Sequence, residues 1–148
     1  MSELKRILLV EDSEADIELT LAALAGHRLA NEVVVARDGS EALDYLLRQG
    51  AFAGRPGGNP AVVLLDLKMP KVDGLQVLAR VKSDPALRSV PVVMLTSSRE
   101  ERDLVESYRL GVNAYVVKPV DFNQFVGAIE KVGMFWAVIN QPPPGTSS

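Results

Sequence analysis

The sequence contains no cysteine among its 148 residues, which excludes disulfide bonds and metal sites built on thiolates and is compatible with a reducing compartment. It also lacks a block of basic residues, and its net charge is −3, so we expect no binding of nucleic acid through phosphate contacts. No apolar run approaches the roughly 20 residues that span a membrane, and the N-terminus has no signal-peptide cleavage pattern. These absences favour a cytoplasmic protein that binds neither nucleic acid nor membrane.

Strand and helix patterns alternate along most of the chain. Hydrophobic residues make up 47% and charged residues 24%, which is typical of one soluble globular domain. Short apolar runs bounded by turn residues alternate with helical patterns, as in repeated βαβ units of a parallel sheet. We therefore predict an α/β, doubly wound fold with five strands, each followed by a helix, near residues 4–10, 33–36, 61–65, 90–95 and 114–117. The second helix is expected to end at Gly50, and residues 51–60 to form an exposed loop.

Polar side chains stand at the ends of four of these strands. In an open parallel sheet, ligands bind outside the carboxyl ends of the strands, so these side chains are expected to converge. They are three acids, a hydroxyl and a lysine: Glu11, Asp12, Asp66, Thr96 and Lys118. A carboxylate can attack a phosphoryl group and carry it as an acyl phosphate, and Mg²⁺ can offset the repulsion between the two anions. The pattern therefore indicates an aspartyl-phosphate site.

Four sequence segments surround these residues: Val10-Glu11-Asp12-Ser13, Leu65-Asp66-Leu67-Lys68-Met69-Pro70 with Asp73-Gly74, Leu95-Thr96-Ser97, and Val117-Lys118-Pro119. Together they resemble a response-regulator receiver domain, the phosphoacceptor half of bacterial two-component signalling. The resemblance covers residues 4–132 and implies a flavodoxin-like sheet with strand order 2-1-3-4-5. Residues 11–16, residues 82–85 and the ending with Phe135, Trp136 and Pro142 are similar to single-domain regulators that partner phytochrome-type histidine kinases.

Asp66 is the predicted phosphoacceptor, and Mg²⁺ is the predicted cofactor. Asp12 and Asp66 are expected to bind the metal directly through their carboxylates, and Glu11 to assist directly or through water. The resemblance adds the backbone carbonyl of Lys68 as a ligand. Members of that family more often carry two aspartates at the first acid pair, so whether Glu11 itself reaches the metal stays open.

Three further residues are expected to manage charge and conformation at the site. Lys118 supplies a positive charge to the phosphoryl oxygens, and to Asp66 before transfer. Thr96 offers a hydroxyl that can bond a phosphoryl oxygen once the group has arrived. The resemblance implies that Thr96 then moves toward the phosphoryl group, that Tyr115 turns inward, and that the bond between Lys118 and Pro119 is cis.

The expected role is that of a phosphoacceptor regulator without an attached output domain. A histidine kinase would phosphorylate Asp66, and an unknown downstream protein or a change in oligomeric state would carry the output. Residues 1–132 are predicted to form the receiver domain, and residues 133–148 a C-terminal extension with a disordered tail. The extension contains apolar and stiff residues that are predicted to form a homodimer interface, Phe135, Trp136, Ile139 and Pro142. The alternative is that they fold back on their own domain.

Other functions fit parts of the pattern. An aspartate-nucleophile phosphohydrolase would carry a second acid where Lys68 stands, so we expect no enzymatic turnover beyond self-phosphorylation and autodephosphorylation. A flavodoxin-like carrier would need a phosphate-binding loop after the first strand, where acids stand instead. A degenerate receiver that acts as a protein–protein contact module is the alternative function. Among single residues, Asp16 and Asp73 are interpreted as helix-start residues, and His27 as a surface residue.

Overall fold

The predicted alternation of strands and helices is confirmed in the computed structural model, which describes residues 6–24, 32–67, 69, 72–96, 101–118 and 121–131. Over these residues the chain forms five strands: β1 (Ile7–Val10), β2 (Val33–Ala36), β3 (Val62–Asp66), β4 (Val92–Thr96) and β5 (Ala114–Val117). The same residues form five α-helices: α1 (Glu14–Leu24), α2 (Gly39–Leu47), α3 (Gly74–Ser83), α4 (Glu101–Arg109) and α5 (Phe122–Lys131). A short 3₁₀ helix (Gly50–Phe52) follows α2.

The strands form one parallel sheet in the order β2-β1-β3-β4-β5, as expected. The three central strands β1, β3 and β4 are buried along their full lengths, because helices cover both faces of the sheet. Strand order reverses between β1 and β3, and the last residue of β1, Val10, pairs with Leu65 of β3. This register places the residues that follow β1 beside the end of β3.

Alternate residues of each strand divide the core into two apolar layers. In one layer, Ile17 of α1 and Phe125 and Ile129 of α5 pack with Leu9 and Leu64 of the sheet. In the other layer, the buried side chains of α2 and α3 pack with the opposite faces of the same strands. The carboxyl edge of the sheet is therefore held from both sides.

The polar residues of β3 and β4 lie inside the strands, not beyond them. Strand β3 extends to Asp66, and β4 runs from Val92 to Thr96 instead of starting at residue 90. The N–H of Val90 donates to the carbonyl of Leu87 in a turn, at 2.9 Å, and Pro91 has no N–H to offer a neighbouring strand. The strand boundary is thus shifted toward the site.

The expected end of the second helix at Gly50 is wrong. Helix α2 ends at Leu47, and Arg48 caps it in the left-handed conformation, with a φ of 57°, a position that glycine usually takes. Gly50 opens the 3₁₀ helix instead. Arg48 thus adopts the left-handed conformation that glycine usually adopts at the end of a helix. The expected helix end was placed at Gly50 because glycine is the usual residue in this conformation.

The loop after α2 is anchored to that helix by aromatic contacts. The ring of Phe52 packs edge-on against the ring of Tyr45, with centroids 5.2 Å apart. The guanidinium of Arg55 lies 4.0 Å from the centroid of the same ring, a cation–π contact. Most residues of the loop 51–60 are exposed, as expected. The contacts of Phe52 and Arg55 with Tyr45 were not evident from the composition of the loop.

Several predictions concern residues outside the described ranges: His27, Lys68, Pro119 and the extension 133–148 with Phe135, Trp136, Ile139 and Pro142. Within the part of the chain that the structure describes, no helix combines the length and the apolar character needed to cross a bilayer.

Candidate functional site

Three carboxylates lie together at the carboxyl edge of the sheet, where strand order reverses. Glu11 and Asp12 directly follow β1, and Asp66 is the last residue of β3. One carboxylate oxygen from each lies within 4.8 Å of the others. Glu11 and Asp66 are buried and Asp12 is exposed. The acid cluster, meaning these three residues, therefore has a closed inner side and an open outer side.

Lys118, which directly follows β5, extends its ammonium into the acid cluster. Its Nζ lies 3.1 Å from Oδ1 of Asp66 and donates a hydrogen bond to Oε1 of Glu11. It also donates to Oδ2 of Asp16 on α1, 2.9 Å away. The backbone N–H of Lys118 donates to the carbonyl of Thr96 at 2.7 Å. This hydrogen bond joins the ends of β4 and β5. The lysine side chain extends from the edge strand β5 toward the ends of β1 and β3.

The second oxygen of Glu11 also has a partner. Oε2 accepts a hydrogen bond from the backbone N–H of Ser13, at 3.2 Å, while Oε1 accepts from Lys118. A carboxylate that is 1% exposed needs such partners, because burying an unpaired charge is costly. Glu11 is therefore oriented from both sides, and one of its oxygens faces the acid cluster.

Burial and charge perturb the pKa values of Asp66 and Lys118. The pKa of Asp66 is raised to about 7 by burial and by the negative charge of Glu11, with Lys118 acting in the opposite direction. Burial lowers the pKa of Lys118, but its hydrogen bonds to Glu11 and Asp16 and the charge of Asp66 outweigh burial and raise it above its usual range. Lys118 thus offsets only part of the effect that burial and Glu11 have on the pKa of Asp66. Near pH 7 the lysine is charged, and Asp66 is divided between its two forms.

Helix α3 begins in direct contact with the backbone of Asp66, and Gly74 makes this contact feasible. The N–H of Gly74 donates to the carbonyl of Leu67 at 2.8 Å. A Cβ at Gly74 would lie 2.3 Å from the carbonyl oxygen of Asp66, so only glycine fits. Asp73 and Gln76 form a capping box in which each side chain accepts a hydrogen bond from the other's backbone N–H. Asp73 is thus a helix-start residue, as interpreted.

Thr96 and Tyr115 occupy neighbouring strands. Thr96 is buried at the end of β4, directly after Leu95, which pairs with Asp66. Tyr115 pairs with Met94; it is half-buried and packs on the apolar layer of α2 and α3. The predicted movements of Thr96 and Tyr115 stay predictions.

Asp16 has a contact that the sequence analysis missed. It was interpreted as a helix-start residue, and it does lie in the first turn of α1. Its carboxylate nevertheless accepts a hydrogen bond from Lys118, more than a hundred positions away along the chain. The sequence carries no signal for this contact, because no local pattern links Asp16 to the lysine.

The donor atoms of the acid cluster fit a hard divalent cation. Carboxylate oxygens are the protein ligands that Mg²⁺ prefers, and the ion keeps several waters in its octahedral shell. Glu11, Asp12 and Asp66 offer the oxygens, and the exposed side at Asp12 gives access to water. The cluster can thus bring a cation, a buried carboxylate and an ammonium together around one reacting group.

Comparison with known proteins gives one consistent family. The model of the response regulator receiver domain matches residues 7–130. The response regulator Rcp1 of Synechocystis sp. is 40% identical over 132 residues, which cover 89% of this chain and 88% of Rcp1. Its Mn²⁺-bound crystal structure is similar with a TM-score of 0.75, over 90% of this chain and 94% of that one.

Two further solved structures are similar over nearly their whole lengths. The bacteriophytochrome response regulator AtBRR is 68% identical, with a TM-score of 0.86 over 95% of this chain and 100% of that one. The phosphorylated cyanobacterial phytochrome response regulator RcpA is 44% identical, with a TM-score of 0.75 over 90% of this chain and 94% of that one.

Proposed function

We propose that this chain, which belongs to the response regulator receiver domain family of two-component signalling, accepts a phosphoryl group on Asp66 from a histidine kinase. The observation that carries the proposal is the buried carboxylate of Asp66, which lies among two further acids and the ammonium of Lys118. One acid at a strand end has many structural uses. This combination supplies a nucleophile, cation ligands and a fixed positive charge in one pocket.

Asp66 is the proposed nucleophile. One Oδ atom of its ionised carboxylate forms a bond to phosphorus, while the bond from phosphorus to the donor's histidine nitrogen breaks and its electron pair stays on the imidazole. The product is an acyl phosphate on Asp66. Mg²⁺ held by the acid cluster would supply positive charge that offsets the repulsion between this carboxylate and the incoming anion.

Lys118 and Thr96 are proposed to bind the phosphoryl oxygens. Because the ammonium of Lys118 lies 3.1 Å from Asp66, it is within reach of an oxygen of a group carried on that side chain, and a charge-assisted hydrogen bond there is strong. The hydroxyl of Thr96, at the end of the adjacent strand, would bond another phosphoryl oxygen after transfer. Tyr115 would then turn toward the space that Thr96 leaves.

The proposed donor is a phytochrome-type histidine kinase in the cytoplasm. The support is that AtBRR is named a bacteriophytochrome response regulator and RcpA a cyanobacterial phytochrome response regulator, and that this chain matches nearly the whole of each. The signal of such a kinase would reach this protein as a phosphoryl group.

The signal is proposed to leave through α4, β5 and α5. Helix α4 exposes three large apolar side chains on one side, Leu104, Val105 and Tyr108, whose exposed fractions are 37%, 57% and 49%. Exposed apolar surface of this kind favours contact with another protein. A homodimer in which the extension around Phe135 and Trp136 packs on the other subunit is also proposed, supported by the apolar sequence of that extension.

Intact-mass spectrometry after incubation with acetyl phosphate tests the phosphoacceptor assignment. Wild type should gain one phosphoryl group in the presence of Mg²⁺ and none in EDTA, and Asp66→Asn should gain none. Asp121→Asn is the matched control, because it makes the same change at the residue that caps α5, where asparagine caps equally well. A wild type that gains no group with Mg²⁺ would contradict the proposal and favour the contact module.

A further inference from the structure

The ammonium of Lys118 is shared by three carboxylates, and only two of them belong to the acid cluster. Glu11 and Asp66 do, whereas Asp16 is carried by α1 and is 37% exposed. A lysine ammonium has three N–H donors and no acceptor. Contacts with three carboxylates therefore use its full donor capacity, and any new acceptor must replace one of them.

We propose that Asp16 is a positioning residue, which holds the Lys118 ammonium at the rim of the acid cluster when the cluster binds a cation and a phosphoryl group. This inference rests on the proposed function. A cation would draw the oxygens of Glu11 and Asp66 to itself and repel the ammonium. Of the three carboxylates that contact Lys118, Asp16 is the one outside the acid cluster, so the cation would not bind it. Asp16 would therefore keep the lysine within reach of Asp66.

The first turn of α1 holds Asp16 in place for this role. Oγ of Ser13 accepts a hydrogen bond from the N–H of Asp16 at 3.3 Å, and the carbonyl of Ser13 accepts from the N–H of Ile17 at 2.9 Å. Ile17 is 2% exposed in the core. The helix therefore starts immediately after the acid pair and is fixed to the core one residue beyond Asp16.

A second explanation of Asp16 is that it only stabilises the start of α1. Acids in a first helical turn interact favourably with the helix dipole, and Glu14 stands in the same turn. Glu14 differs in its partner, since it pairs with the exposed guanidinium of Arg37. Glu14→Gln thus removes one negative charge from the same turn without touching the Lys118 contact, and it is the matched control for Asp16→Asn.

Calorimetric titration with Mg²⁺ alone tests the proposal on unphosphorylated protein. Without Asp16, the lysine is held only by the two acids that the cation needs, so the lysine and the cation compete directly. Asp16→Asn is expected to raise the Kd for Mg²⁺ by about three- to ten-fold, and Glu14→Gln by less than about twofold. Asp16→Glu, which restores the carboxylate, should bring the Kd back toward that of wild type.

The effect of Asp16 should depend on Lys118. In a Lys118→Met background, Asp16→Asn should change the Kd no more than Glu14→Gln does, because the side chain through which Asp16 acts is gone. A Kd for Asp16→Asn equal to that of the Glu14→Gln control would overturn the proposal, as would an equal rise with and without Lys118. The Asp16→Glu rescue decides the matter if Lys118→Met does not fold.

Phosphorylation by acetyl phosphate at saturating Mg²⁺ separates this inference from the proposed function. Asp16→Asn should be phosphorylated about tenfold more slowly than wild type, because its lysine is misplaced, while Glu14→Gln keeps the wild-type rate. If wild type itself gains no phosphoryl group, the proposed function fails, and the Mg²⁺ titrations still decide the role of Asp16. If wild type is phosphorylated and Asp16→Asn keeps its rate, the positioning role fails alone.

Discussion

At the residue scale, two opposed effects act on the protonation of Asp66. Burial and the nearby charge of Glu11 favour the neutral acid, and Lys118 favours the carboxylate. The first two effects are larger, so the pKa rises to about 7. A nucleophile must be ionised, and a cation held by the acid cluster shifts the balance toward the ionised form. Asp66, the proposed phosphoacceptor, is therefore expected to destabilise the folded state above about pH 7 until a cation is bound.

Asp66→Asn is expected to stabilise the metal-free protein at pH 8 and to have little effect near pH 4. The unfolded carboxyl titrates at about 4 and the folded one at about 7, so the folded state holds the proton more tightly. This tighter proton binding stabilises the folded state fully below about pH 4, and the stabilisation is lost as the pH rises from about 4 to about 7. The amide cannot ionise, so its free energy of unfolding should exceed that of wild type by about 1–3 kcal/mol at pH 8.

Urea unfolding in EDTA at pH 4 and pH 8 measures this difference. Glu18→Gln is the control, because it removes an exposed acid of α1 and should follow wild type at both pH values. Saturating Mg²⁺ at pH 8 should stabilise wild type more than Asp66→Asn, since the cation binds the folded carboxylate. If the difference in the free energy of unfolding between Asp66→Asn and wild type does not change with pH, the pKa of Asp66 is not raised by burial in the folded state.

At the element scale, the site depends on how closely α3 and the loops near β5 approach the sheet. Lys82 at the end of α3 donates to the carbonyls of Arg88 and Val90 and to Oδ1 of Asn113, at 3.1, 2.9 and 3.0 Å. Oδ1 of Asn113 also accepts from the N–H of Val92. One lysine therefore ties the end of α3 to the starts of β4 and β5, which carry Thr96 and Lys118 at their other ends. Lys82 therefore has a structural role.

Gly74→Ala is expected to destabilise the protein and slow its phosphorylation. A Cβ there would lie 2.3 Å from the carbonyl oxygen of Asp66, and backbone cannot move aside as a flexible side chain can. The expected loss in the free energy of unfolding is about 2–3 kcal/mol. Urea unfolding measures the loss, and mass spectrometry follows the rate of phosphorylation.

Gly127→Ala is the control, because it makes the same change inside α5, where a Cβ meets nothing within 4 Å. It should stabilise the protein by about 0.5–1 kcal/mol, since alanine favours helix more than glycine does. Equal stabilities of the two alanine variants would show that the contact between α3 and Asp66 does not constrain residue 74.

At the scale of the whole molecule, the last helix completes the core. Phe125, Ala128 and Ile129 of α5 are at most 5% exposed and close the apolar layer that contains α1. These buried residues of α5 lie within the part of the chain that the structure describes. We therefore expect the apolar layer to form without the extension that follows residue 132.

A chain that ends at Lys131 is expected to fold and to accept a phosphoryl group, but to be monomeric. Its core and acid cluster are retained, whereas the proposed interface residues Phe135, Trp136, Ile139 and Pro142 are removed. Size-exclusion chromatography with light scattering, at one protein concentration for both chains, measures the change. Trp136→Ala in the full chain should weaken the dimer without removing the extension. A truncated chain that still elutes as a dimer would rule out the arm.

The sequence by itself determined the fold class and the identity of the strand-end residues. Hydrophobic periodicity is a local property, so it revealed the five strands. A polar residue that ends an apolar strand, such as Asp66 or Thr96, is visible in the same pattern. The rule that parallel strands end at one edge was enough to bring Glu11 and Lys118 together in the prediction.

Only the tertiary structure decided which groups share the lysine and which backbone segments touch. The contact of Asp16 with Lys118 joins the first turn of α1 to the end of β5. Glycine is needed at position 74 because α3 approaches β3 closely there. Arg48 adopts a left-handed conformation where α2 ends and the loop begins. Each depends on the distance between elements remote in sequence or on how they pack, and a local pattern of residues does not encode such distances.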